Sequence, residues 1–167
     1  MLTDALSQYP EKELFVEAVR KKTFETEMKC HGCAQVIVQT FLDILDQQNT
    51  ALSMSSSPFA AGMALTGNNC GALIGGLMVL GLFYGREDVN EGMEGIIKGI
   101  RPMRKFVKYF EDKEQHVNCR DITGTDLADP KKATAYFQEG GLEKCATMMA
   151  EAAAYVAGMV YDDKDNL

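Results

Sequence analysis

Residues 33–45 read CAQVIVQTFLDIL, and this stretch decides the fold. Cys33, Val36, Ile37, Thr40, Phe41, Ile44 and Leu45 recur at i, i+3, i+4, i+7, i+8, i+11 and i+12, which is one face of an α-helix and not the alternation of a strand. Cys33 then lies on the buried face, in the first turn. Working outward, the same period returns on both sides. Pro10, with Glu11 and Glu13 behind it, opens a first helix over about 10–27, whose apolar stripe is Leu14, Phe15, Ala18 and Val19. Residues 49–69 are rich in Ser, Gly, Pro and Asn and read as a long connection with one helical turn at 58–64. Asn69 is a good N-cap for a helix over 70–85.

That third helix, CGALIGGLMVLGLFYG, carries no charge and contains Gly71, Gly75, Gly76 and Gly81 ahead of its final glycine. Each glycine costs a helix interior about 1 kcal/mol relative to alanine. The spacing of small residues four apart lets another backbone come close, so this is expected to be the central helix, with Gly71 and Gly75 leaving room for a bulky group beside Cys70. A fourth helix runs from about 87 to 112, with Val89, Met93, Ile96, Ile97, Ile100, Met103, Val107 and Phe110 on one inward face and Pro102 kinking or breaking it. Residues 113–129 read as loop. Asp129-Pro130 caps a short helix to about 138, and the last helix covers about 141–161. The expectation is an all-α fold of five to six helices in a single domain over 1–167, with a frayed acidic tail at 162–167.

Composition narrows the function. The net charge of −7 argues against nucleic acid as a partner. Ten methionines and no tryptophan suit an adaptable helical core. The uncharged apolar run Gly71–Tyr84 is too short to span a membrane, and MLTDALSQYPEKELF has neither the basic start nor the apolar run of a secretory leader. The expected location is cytoplasmic. Five cysteines, Cys30, Cys33, Cys70, Cys119 and Cys145, are an odd number in a chain too large to need staples, so they are expected to be free thiols. Cys33 and Cys70 sit at helix starts, where the dipole and free N–H groups favour thiolate. Cys30-His31-Gly32-Cys33 is a C-x-x-C pair at a helix start, but no βαβ pattern of a thioredoxin surrounds it. Ala34 follows the second cysteine where a covalent c-type haem needs histidine. Paired zinc-ribbon knuckles are missing, as are Ser-His-Asp and HExxH hydrolase patterns, and the sequence leaves enzymatic activity open.

The run GCAQVIVQTF around Cys33, CGALIGG from Cys70, CRDITG from Cys119 and the lone Cys145 resembles the C-GCAxxG-C-C family of redox-active proteins, over roughly residues 30–150. The resemblance implies a small helical protein with four motif cysteines, here Cys33, Cys70, Cys119 and Cys145, and leaves out Cys30 and residues 1–27. A related domain in split-Soret cytochromes implies an iron–sulfur site. Three readings follow: four thiolates on an iron–sulfur cluster for electron transfer or redox sensing; a metal-free thiol–disulfide protein cycling Cys30 and Cys33; or structural zinc on the same four thiolates. His31 and His116 flank cysteines and read as polar neighbours or alternative ligands. The basic row Lys98, Arg101, Lys105 and Lys108 reads as a solvated face or a docking face for an acidic redox partner. The glycine face also suits a homodimer.

Overall fold

The computed structural model describes residues 5–167; the first four residues of the expected 1–27 segment lie outside the described residues. Eight α-helices are present among them, joined by short 3₁₀ turns and with no strand. They are α1 (Lys12–Cys30), α2 (Cys33–Ile44), α3 (Thr50–Ser56), α4 (Gly71–Tyr84), α5 (Gly92–Glu114), α6 (Cys119–Thr123), α7 (Pro130–Gln138) and α8 (Gly141–Asp162). The all-α expectation holds. The expected five to six helices become eight because α3 and α6 fill stretches read as loop.

The most extensive packing is between α1 and α8, so the glycine-rich helix shares the centre and does not hold it alone. Phe15, Val19, Thr23 and Glu27 form the buried stripe of α1 at four-residue spacing, whereas Leu14 is exposed. Buried alanines on α8, among them Ala146, Ala150, Ala153 and Ala157, leave little side chain between the two axes. Phe15 meets Tyr9, Phe41 and Tyr161 at centroid distances of 5.1, 6.4 and 6.1 Å. Lys12 bonds Asp162 at 2.6 Å and Arg20 bonds Glu151 at 2.8 Å along the outer seam. Both pairs are partly exposed and add little stability.

Helix α4 packs against α2, α5 and α8. A Cβ at Gly75 would lie 2.9 Å from both the Cα and the carbonyl oxygen of Ala34, and a Cβ at Gly76 would overlap the Phe106 ring. Close approach is therefore what these glycines allow, and dispersion across that contact offsets their helix cost.

Helix α5 departs most from expectation. It runs unbroken through Pro102. Phe106 and Phe110 are buried in its second half, but in its first half the buried residues are Gly95 and Gly99. Gly99 lies against the Tyr84 carbonyl. Met93, Ile96, Ile97 and Ile100 then lie on the outer side of α5 and are exposed, as is Val89 in the 3₁₀ turn before it. Residues 60–67 are also unexpected. Ala61, Met63, Ala64 and Leu65 have φ of 49–66°, a left-handed run of non-glycine residues, held by Ala64 N–H to the Pro58 carbonyl at 2.6 Å and Leu65 N–H to that of Ala60 at 3.2 Å. The end of the chain is a 3₁₀ turn, Lys164–Asn166, with the Lys164 ammonium 3.9 Å from the centre of the Tyr161 ring, where fraying was expected.

Candidate functional site

Each of the four motif cysteines sits at or near the start of a helix. Cys33 is the first residue of α2, Cys70 immediately precedes α4, Cys119 opens α6, and Cys145 lies in the second turn of α8. Three local devices bring them together. A Cβ on Gly71 would overlap the Cβ of Cys33 and come within 2.8 Å of the Phe59 carbonyl oxygen, so the bare glycine lets the start of α2 lie against the start of α4. Cys70 N–H donates to the Val117 carbonyl at 2.8 Å, and Cys119 N–H donates to the Asn68 carbonyl at 2.7 Å. These bonds flank an antiparallel bridge between Asn69 and Asn118. The Tyr136 hydroxyl of α7 lies 3.4 Å from the Cys145 sulfur.

The result is one cavity of about 330 Å³, lined by all four thiols. Glu27, His31, Ala61, Ile122, Phe137 and Met148 complete much of a largely apolar wall. Cys70 and Cys119 are buried, Cys33 and Cys145 half-buried. An open groove of about 670 Å³ between α5 and α8 is larger, but it is edged by Lys113, Glu114, Glu143 and Lys144 and no thiol reaches it.

Cys30 is exposed and does not line the cavity. It ends α1, and His31 and Gly32, both at positive φ, turn the chain before Cys33 opens α2. The C-x-x-C pair thus straddles a sharp turn between two helices. His31 reaches the cavity wall, with its Nδ1 3.0 Å from the Glu27 carbonyl oxygen. His116 is exposed and away from it. Gly71 and Gly75, expected beside a cofactor, face α2 and do not line the cavity. Their effect is to seat Cys33 beside Cys70. Of the basic row, Lys108 pairs with Asp112 at 3.0 Å, while Lys98, Arg101 and Lys105 edge a groove shared with Asp162 and Asp163.

Burial is the largest influence on the acidities of the four motif thiols. Desolvation pushes Cys33 up to about 12, and the facing Glu27, Cys145 and Cys119 push the same way, while the Ala61 N–H pulls back. Cys119 rises to about 11 through burial, with Cys145 adding to it. Cys70 and Cys145 also rise, burial first; the facing Cys33 adds at Cys70, and the Tyr136 hydroxyl offsets part at Cys145. Without a metal, burial thus moves these thiols opposite to the direction a helix start alone would give.

Two residues at the site, Tyr136 beside the Cys145 sulfur and Glu27 in the pocket wall, escaped the sequence reading. Tyr136 carried no signal. Glu27 carried one, because it continues the four-residue spacing of Phe15, Val19 and Thr23. It is 3% exposed, and its Oε2 has no hydrogen-bond partner. Burial pushes its carboxyl up to about 7, with a small opposing pull from the Gly32 N–H.

Among the described residues, no three His, Cys, Asp or Glu side chains gather closely enough to hold one metal ion. Fold and pocket together define a class: an all-α protein whose four dispersed cysteines face a single apolar cavity. Residues 31–159 match the family described as "Putative redox-active protein (C_GCAxxG_C_C)", and the chain belongs to that family. No curated protein and no solved structure matches it. No helix among the described residues is long and apolar enough to cross a membrane.

Proposed function

We propose that Cys33, Cys70, Cys119 and Cys145 hold an iron–sulfur cluster, which would supply one-electron transfer or redox sensing. The observation that carries this reading is the convergence of all four thiols, from separate helices, on one cavity of about 330 Å³. Four thiolates satisfy a [2Fe–2S] or [4Fe–4S] cluster. The donors ring a volume and do not surround a point, which suits a group whose sulfurs bind different irons. A single zinc ion would need every sulfur about 2.3 Å from one centre, and among the described residues no three such donors gather that closely. Thiol–disulfide exchange needs a thiolate, and burial holds the pocket thiols protonated well above neutral pH. Cys30, the exposed half of the alternative pair, stands outside the pocket. Metal binding would displace the thiol protons and turn the burial cost into binding specificity. Anaerobic purification followed by iron and acid-labile sulfide analysis tests the reading. Equimolar iron and sulfide with a visible band bleached by dithionite is expected; colourless protein with zinc or without metal overturns it.

The same protein is proposed to work as a homodimer, paired through the outer face of α5 and not through the glycines of α4, which are already covered by α2 and Phe106. Val89, Met93 and Ile97 are 73%, 67% and 61% exposed, a contiguous apolar face that a monomer leaves in water. Glu94 and Arg101, one heptad apart, flank the same side of that face. Antiparallel pairing about Ile97 sets Glu94 of one copy beside Arg101 of the other, twice. That self-complementarity is what a twofold interface requires, and it favours a second copy over an acidic redox partner as the occupant.

A further inference from the structure

The cluster reading leaves one feature of the pocket unexplained. Helix α1 turns Phe15, Val19, Thr23 and Glu27 inward at four-residue intervals. The first two fill the core. The fourth position reaches the thiol cavity, where the neighbouring wall is apolar and a leucine would pack. It holds a carboxyl group that is 3% exposed. One of its oxygens has no hydrogen-bond partner. Among the described residues, no lysine or arginine forms an ion pair with it. The titratable groups that line the pocket with it are the four thiols, which would be anions themselves if ionised, and His31, whose Nδ1 is engaged 3.0 Å from the Glu27 main-chain carbonyl oxygen. An unpaired polar atom in such a place costs the fold about 1–3 kcal/mol.

Resting on the cluster reading, we infer that the Glu27 carboxylate is a fifth donor to the metal group held by the four cysteines. A cationic metal centre is the partner that its orphaned oxygen lacks. Iron accepts carboxylate oxygen beside softer donors. The placement suits the task, because Glu27 enters from α1, which supplies none of the four thiols. The donor set then closes around the cavity from α1, α2, α4, α6 and α8. Metal binding would displace any carboxyl proton as it displaces the thiol protons. A carboxylate among thiolates also makes one iron different from the others.

The test compares wild type with Glu27→Gln and Glu27→Asp after anaerobic reconstitution with ferrous iron and sulfide. The readouts are iron and sulfide per chain, the visible spectrum, and the rate of iron loss to bipyridyl. Glu27→Gln keeps the shape and removes the anionic donor. It is expected to lose iron at least tenfold faster than wild type with an altered spectrum, and Glu27→Asp to recover part of the difference. The melting temperature of the metal-free variants separates this from a structural role: Glu27→Gln should melt no lower than wild type. Loaded wild type and Glu27→Gln with the same iron content, spectrum and chelation rate overturn the proposal and leave the cluster reading standing. Wild type that takes up neither iron nor sulfide overturns both.

Discussion

At the last turn of α1 a carboxyl group sits where a leucine would pack, and at the start of α5 three isoleucines sit where lysines would be solvated. Both places break the rule that apolar groups go inside and charges outside, in opposite directions. Buried with an unpartnered oxygen, Glu27 costs the fold stability. Ile96, Ile97 and Ile100, with Met93 and Val89, leave the single chain with a face that water solvates badly. Neither departure is repaired within the chain. On the readings proposed above, each would be repaired by something added from outside, a metal group at the pocket and a second copy at α5. A buried charge asks for a counter-charge, and an exposed apolar stripe asks for another apolar stripe, so the sign of the departure tells which kind of partner is missing.

Three experiments break or sharpen this comparison. The largest effect is expected at the pocket's sulfurs. Cys70→Ser should abolish bound iron, sulfide and colour, whereas Cys30→Ser, outside the cavity, should leave all three unchanged in the same assay. Loss of colour in both variants would erase the distinction between pocket and surface.

Next is the dependence of the metal-free protein on pH. The Glu27 carboxyl titrates near 4.5 in the unfolded chain and at about 7 in the fold. Between those values the folded protein retains a proton that the unfolded chain has released. The contribution is fully present below 4.5 and is lost as pH rises through 7, by about 3 kcal/mol in all. Urea unfolding at pH 5 and pH 7.5 should show that fall, and Glu27→Leu should flatten it and raise stability at the higher pH while lowering metal retention.

The smallest effect is expected at α5. Ile97→Glu should leave monomer stability within about 0.5 kcal/mol yet weaken self-association at least tenfold, about 1.4 kcal/mol, by sedimentation. Glu94→Arg should weaken it less, and adding Arg101→Glu should restore it. A wild type that sediments as a monomer at all concentrations would remove the second half of the comparison.

Much of the fold was legible in the sequence because local rules and tertiary packing agreed. The periodicity of 33–45 gave α2, Asn69 marked the approach to α4, and Asp129 caps α7 through the amides of Lys131 and Lys132. The first half of α5 was misread for a physical reason. A hydrophobic stripe reports that a helix has an apolar face, not that its own chain covers it, and here Gly95 and Gly99 took the inward side. The left-handed run at 61–65 was invisible because alanine, methionine and leucine rarely adopt it. The family resemblance pointed to the four cysteines that line the cavity, but their acidity depends on burial, which first-turn position does not encode. Glu27 fell outside the motif, although the 15–19–23–27 spacing already aimed it at the core.

One feature bears on how freely this pocket can change. Cys70 and Cys119 are stitched together by amides and carbonyls of residues 68–70 and 117–119, not by side chains. Asn68, Asn69, Val117 and Asn118 can therefore be exchanged for many other residues without moving the two sulfurs apart. Proline at either cysteine's position would delete a stitch outright. The gauge of the pocket is written in the main chain, which leaves its lining open to redesign for other guests.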